Sequence, residues 1–225
     1  MVSTFKLVDD LDEQATLESL INQAKPPVPP DCRHLHYLLS TPFRYGAPYP
    51  GGSRFRRAGQ TEGVFYASST VETAICEAAF WRLLFFAESP DTPWPSNPAA
   101  HTAFSTDYAS DDALDLTAAP LIADRADWVH PTDYAPCQDL ADRARNVAIE
   151  VIRYESVRDP RRRANIAIMR CAAFSTAEPT VSQTWRIHLG DRGVRAIGEF
   201  PPARIEFGRF ESCPDPRLAA IRWQR

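Results

Sequence analysis

The strongest helical pattern in the chain, Val71 to about Ala87, follows directly on a short strand-forming run at Gly63 to Ala67. Its side chains are so apolar that other elements must cover it, which commits the chain to building layers around one helix. Ser69 with Glu72 three residues on is a capping-box signature and predicts where the helix starts. Val71, Ala74, Ile75, Ala78, Phe85 and Phe86 mark the predicted buried side. Glu77 falls at the edge of that side, one turn before Trp81 and Leu84, and is expected to be largely shielded from water. A carboxylate there is costly unless something pairs with it or uses it, so Glu77 is the first candidate for chemistry.

The flanking sequence sets the organisation. Asp10 to Ala24 has amphipathic spacing, with Leu11, Leu17, Leu20 and Ile21 on one side, and Pro26, Pro27, Pro29 and Pro30 stop it. Residues 1–30 are therefore expected to be a helical appendage on a stiff proline-rich linker, and 31–225 the domain proper. Strands are predicted at 101–108, 149–154, 165–170, 185–189, 195–200 and 205–210, and helices at 137–147 and 217–223. Residues 89–100 are proline-rich and read as loop, and Ala113–Leu116 is too short to assign. Strands around one dominant helix predict a mixed α+β fold.

Bulk properties exclude more than they indicate. A net charge of -4 gives no support for nucleic-acid binding. No apolar run reaches membrane-spanning length, and no signal peptide is expected at the start. The five scattered cysteines contain no Cys-x-x-Cys pair, which predicts reduced thiols in a cytoplasm. His34 and His36 lack further ligands at metal spacing, and Cys76 sits on an apolar background as inert packing.

The candidate ligand groups lie upstream of the helix. Arg44, and Arg54, Arg56 and Arg57 after the Gly51-Gly52 turn, offer forks that match phosphate oxygens; the alternative is a solvated loop. Tyr45 and Tyr66 can stack on a ligand ring or simply pack in the core. Ser156, at the end of a predicted strand, can orient Glu77 or a ribose, or only cap a turn. Glu77 itself can oppose the positive charge of an oxocarbenium-like transition state, or form a structural ion pair with an arginine. Arg161 to Arg163 form a basic tip, most simply a solvated hairpin.

Together these residues resemble the RES domain, named for its Arg, Glu and Ser. Phe43-Arg44-Tyr45 matches the family's first arginine, and Arg56 stands at the family's distance from Tyr66. Cys76-Glu77 matches its Leu-Glu, while Glu155-Ser156 and Asn165-Ile166-Ala167 match its Pro-Ser and Asn-Leu-Val segments. Arg57-Ala58 replaces the family's Trp-Asn, and Glu155 its proline. The resemblance covers about residues 40–172. It implies strongly bent β-sheets with surrounding helices, similar to the ADP-ribosyltransferase fold, and NAD as substrate without a metal. It implies a toxin of a type II toxin–antitoxin pair, cytoplasmic and growth-arresting, held by an Xre-type antitoxin that occludes the active site. On that reading Arg44 and Arg56 grip the pyrophosphate, with Arg54 beside them in the cofactor-binding set, and Tyr45 and Tyr66 frame the nicotinamide and its ribose. Glu77 stabilises the oxocarbenium ion, Ser156 supports Glu77 or the ribose, and Asn165 belongs to the cofactor-binding set.

ADP-ribose would pass to a protein acceptor, as in mono-ADP-ribosyltransferases, or to water or phosphate, as in NAD glycohydrolases and phosphorylases. The extra N-terminal helix favours a protein acceptor. A ribonuclease-type toxin, supported only by the basic tip, and a non-enzymatic binding module are the competing classes.

Overall fold

The computed structural model describes residues 7–46, 50–60, 62–209, 215–219 and 221–225. Its helices are α1 (Leu11–Gln23), α2 (Tyr37–Arg44), α3 (Val71–Glu88), α4 (Arg125–Trp128) and α5 (Ala135–Asn146). Its strands are β1 (Phe65–Ser68), β2 (Ala99–Ser105), β3 (Ala113–Asp115), β4 (Val151–Glu155), β5 (Ala164–Ile168), β6 (Val181–Gly190), β7 (Gly193–Gly198) and β8 (Ala203–Gly208). They form two four-stranded sheets of order β1-β5-β4-β3 and β2-β6-β7-β8, an α+β arrangement as expected. Among the described residues, only β3 runs parallel to its neighbour, β4. Phe210 and Ala220, which fall in the predicted last strand and last helix, lie outside the described residues. Pro216–Leu218 form a single 3-10 turn. No helix among the described residues is long and apolar enough to cross a membrane.

Helix α3 is the spine. Ile75, Ala79, Phe80, Leu83, Leu84 and Phe86 pack against Trp185, Ile187, Leu189, Val194 and Ala196 of the second sheet and against Leu218 and Ile221. The first sheet has its own two cores. On one face Phe65, Val151, Ile166 and Ile168 meet Leu39 and Phe43 of α2. On the other, Ile152, Tyr154 and Ala167 meet Phe55, and Cys137, Ala141 and Ala144 of α5. At about 1.5–3 kcal/mol per buried large apolar side chain, these clusters supply the main driving force for folding.

Two details of α3 differ from expectation. Phe85 is 55% exposed, whereas Thr73, Cys76, Ala79, Phe80, Leu83 and Leu84 are buried. The helix is apolar nearly all round, so its periodicity does not single out a face. Its N-cap is Thr70, whose Oγ1 accepts from the Thr73 amide, and not Ser69. The Ser69 amide is already engaged by the Ala164 carbonyl at the sheet edge.

The cysteines also differ. Cys32 and Cys171 are joined in a disulfide, while Cys76 and Cys137 are free and buried. The bond links chain segments 139 residues apart, so no local spacing motif announces it. Cys213 lies outside the described residues.

One buried acid fixes the approach of β5 to α3. Asp159, with its side chain fully enclosed, accepts from Thr73 Oγ1 at 2.7 Å and pairs with Arg163 Nε at 2.6 Å. Burial alone would raise its carboxyl, but Arg163, Thr73 and the Arg161 amide hold it below its ordinary value. A depressed carboxyl contributes stability that is complete above the ordinary value near about pH 4 and disappears as acid takes it through the lower folded value. Asp159→Asn is expected to cost about 2–4 kcal/mol at pH 7 in urea unfolding. Its deficit against the wild type should shrink below about pH 4; a deficit constant with pH would contradict this account.

Candidate active site

The register of the first sheet builds the site. Asn165 lies opposite Ser68 on one side and Tyr154 on the other, and Tyr66 lies opposite Ala167. With a side-chain period of two, Tyr66, Ser68, Tyr154 and Asn165 share one face, and Ser156 continues the parity just beyond β4. Glu77 of α3 meets that face.

Its carboxylate is held at both oxygens. Ser156 Oγ and Asn165 Nδ2 each donate to Oε1 at 2.7 Å. Arg158 Nη1 stands 3.5 Å from Oε2. The Glu77 side chain remains 21% exposed, so it is reachable from outside as well as anchored from within. Ser156 is fully buried and does two jobs. Its hydroxyl orients Glu77, and it accepts the amides of Arg158 and Asp159, which closes the turn after β4. Asn165 is fixed in turn, because its Oδ1 accepts from Ser68 Oγ at 2.7 Å. The amide orientation is thereby determined, with its NH2 toward the carboxylate.

Buried groups surround this centre. Tyr154 packs edge-on against Phe55 at 4.8 Å. Burial, with the Glu77 charge adding to it, pushes its hydroxyl well above the ordinary value. Tyr66 is 39% exposed as a residue, but its hydroxyl end is enclosed: it bonds Ser53 Oγ at 2.8 Å and accepts the Phe55 amide at 3.0 Å. Burial likewise pushes the Tyr66 hydroxyl up. Cys76, beside Glu77 in sequence, has its thiol raised to about 12, by burial first and then by the Asp159 charge. It is inert packing, as the sequence suggested.

The arginines expected at a pyrophosphate are all engaged with protein oxygens. Arg44 donates to the Asn22 carbonyl and side chain and to the Pro26 carbonyl, and so holds the C-terminal end of α1 and the linker after it. Arg54 is buried and donates to the Trp128 carbonyl at 2.6 Å and the His130 carbonyl at 2.9 Å. Arg56 donates to the carbonyls of Tyr45 and Gln60. Arg57 pairs with Asp139 and Asp142 of α5. Tyr45 is exposed at the end of α2, where Gly63 allows the chain to touch the Pro42–Phe43 backbone; a Cβ there would overlap it. Glu77, Ser156 and Asn165 thus meet directly, whereas Arg44 and Tyr45 lie at the C-terminal end of α2 and Arg54 and Arg56 in the loop before β1.

Sequence reasoning missed Arg158, Tyr134 and Arg217. Arg158 Nη2 donates to the Tyr134 hydroxyl at 3.0 Å, and Arg54 stacks on the Tyr134 ring at 4.8 Å. Arg158 and Arg217 both lie over Phe80 and Trp81. For Arg158 the available signal was its place two residues after Ser156, in the turn that follows β4. A cavity of about 280 Å³ opens elsewhere, on the reverse face of β4, between Arg125, Trp128, Arg153, Glu155 and Arg162; Glu77 is not on its wall.

Asn165→Asp would place a second carboxylate in contact with Glu77 Oε1. Two such groups cannot both ionise at that distance. The variant should be destabilised by about 2–4 kcal/mol at pH 8 and by clearly less at pH 5, where a shared proton restores a donor. Equal thermal midpoints for variant and wild type at pH 8 would show that Asn165 does not face the carboxylate.

The model of the RES domain family matches residues 28–190 of the chain. No curated protein matches it. The chain therefore belongs to the RES domain family, which is associated with NAD-acting enzymes and toxin–antitoxin pairs.

Proposed function

We propose that this RES domain protein cleaves the nicotinamide–ribose bond of NAD and transfers the ADP-ribose to a protein acceptor. The observation that carries the reading is the Glu77 carboxylate, aimed by Ser156 and Asn165, flanked by a guanidinium and still open to a ligand. As the glycosidic bond breaks, its electron pair leaves with the nicotinamide nitrogen, and the pyridinium charge passes to the ribose as an oxocarbenium ion. A fixed carboxylate beside that carbon lowers the barrier because it needs no reorganisation as the charge arrives. The acceptor nucleophile then bonds to the same carbon and gives up its proton to water.

The partly exposed Tyr66 and the exposed ring of Trp81, one turn beyond Glu77 on α3, are suited to flank the nicotinamide. For Arg44 or Arg56 to reach the pyrophosphate, each would exchange its backbone carbonyl partners for phosphate oxygens, which bind a guanidinium more strongly. Such a consumer of NAD fits a cytoplasmic toxin whose cognate Xre-type antitoxin covers the cleft, and unopposed expression would arrest growth.

Purified protein incubated with NAD should release nicotinamide. Glu77→Gln should slow release by at least about 100-fold, equivalent to about 2.7 kcal/mol of transition-state stabilisation. Ser156→Ala should slow it by about tenfold. Undiminished release from folded Glu77→Gln would sink the mechanism. Radiolabelled NAD added to lysate should label a protein band; label appearing only in free ADP-ribose or a phosphorylated product would reassign the acceptor to water or phosphate.

A further inference from the structure

We infer that Arg158 is the positioning residue for Glu77, a role that rests on the NAD-cleaving reading above. Ser156 and Asn165 both hold Oε1, which leaves the second oxygen to be oriented by another group. Arg158 is that group. Among the described residues, Glu77 is its only carboxylate within 4.0 Å. Its side chain is 9% exposed, so the pair lies mostly out of water, where a charge contact counts for more than on a surface.

Three contacts fix the guanidinium itself. One face lies 4.4 Å over the Phe80 ring, and Trp81 lies 5.8 Å away. Nη2 donates to the Tyr134 hydroxyl. Its backbone amide bonds Ser156 Oγ, so the turn that aims Ser156 at one carboxylate oxygen also aims Arg158 at the other. Arg217 shares the two aromatic rings, but Asp215 neutralises it at 2.6 Å, so the two like charges are tolerated side by side. Arg158 thus supplies the positive charge that faces Glu77, and the Arg217–Asp215 pair holds the rings on which it lies. Planarity matters here, because a lysine would keep the charge and lose both the stacking and the second donor.

The role predicts a loss of turnover and not of affinity. Arg158→Met should lower kcat for nicotinamide release by about 30-fold with KM for NAD within about twofold, and Arg158→Lys should recover only part of the loss. Because Arg158 acts through Glu77, the double variant Glu77→Gln/Arg158→Met should be no slower than Glu77→Gln alone. A merely structural arginine would give losses that multiply and a lowered thermal midpoint shared by both backgrounds. Multiplying losses, or an effect confined to KM, would overturn the inference. If the wild type releases no nicotinamide, the NAD reading fails by itself. Thermal unfolding of the wild type, Glu77→Gln, Arg158→Met and the double variant then decides the pairing: a coupled loss upholds it, and additive shifts overturn it.

Discussion

A carboxylate in the wall of a folded protein must be met by donors, and at Glu77 that demand ties the central helix to the first sheet. The donors come from β5, from the end of β4 and from the turn between them. Four residues earlier on the same helix face, Thr73 reaches the buried Asp159 of that turn. Two polar clamps one helical turn apart prevent α3 from rotating or sliding against the sheet. Apolar packing alone would not achieve this, because an all-round apolar helix can be seated in several rotations with similar burial. The polar contacts select one.

How far this was legible depends on the range of the interactions. The helix at 71–88 and most strands follow from local spacing, and their ends fall within a few residues of expectation. Glu77, Ser156 and Asn165 stand out because an acid on an apolar helix needs partners and because their spacing matches a family pattern. The exposure of Phe85 did not stand out, since the helix offers no polar side from which to judge it. Nor did the fate of Arg54, which reaches carbonyls more than seventy residues away. Arginine after a glycine turn looks the same in sequence whether it holds a phosphate or a loop. The Cys32–Cys171 bond was hidden for the same reason.

The chain beyond the family match is part of the same construction. Strands β7 and β8 complete the sheet under α3, and Leu218 and Ile221 enter its core. Arg225 closes the far end of the helix by donating to the carbonyls of Phe86, Ser89 and Thr92 while stacking on Trp94. The residues after 190 therefore act on the site indirectly, by holding the helix that presents Glu77 and by placing Arg217 against the rings beneath Arg158.

The connection from Ser156 to Ala164 sets a limit on how this protein can vary. Its tip carries Arg162 at a φ of 54°, a backbone state an arginine adopts only when its surroundings impose it. The side chains of Arg161 and Arg162 at the tip are exposed, so substitution there disturbs little packing. The number of residues there matters more, because one extra residue carried into β5 as a slip in pairing would send Asn165 to the opposite side of the sheet. A longer hairpin would therefore keep the site only where the added chain loops out without moving the strand that follows.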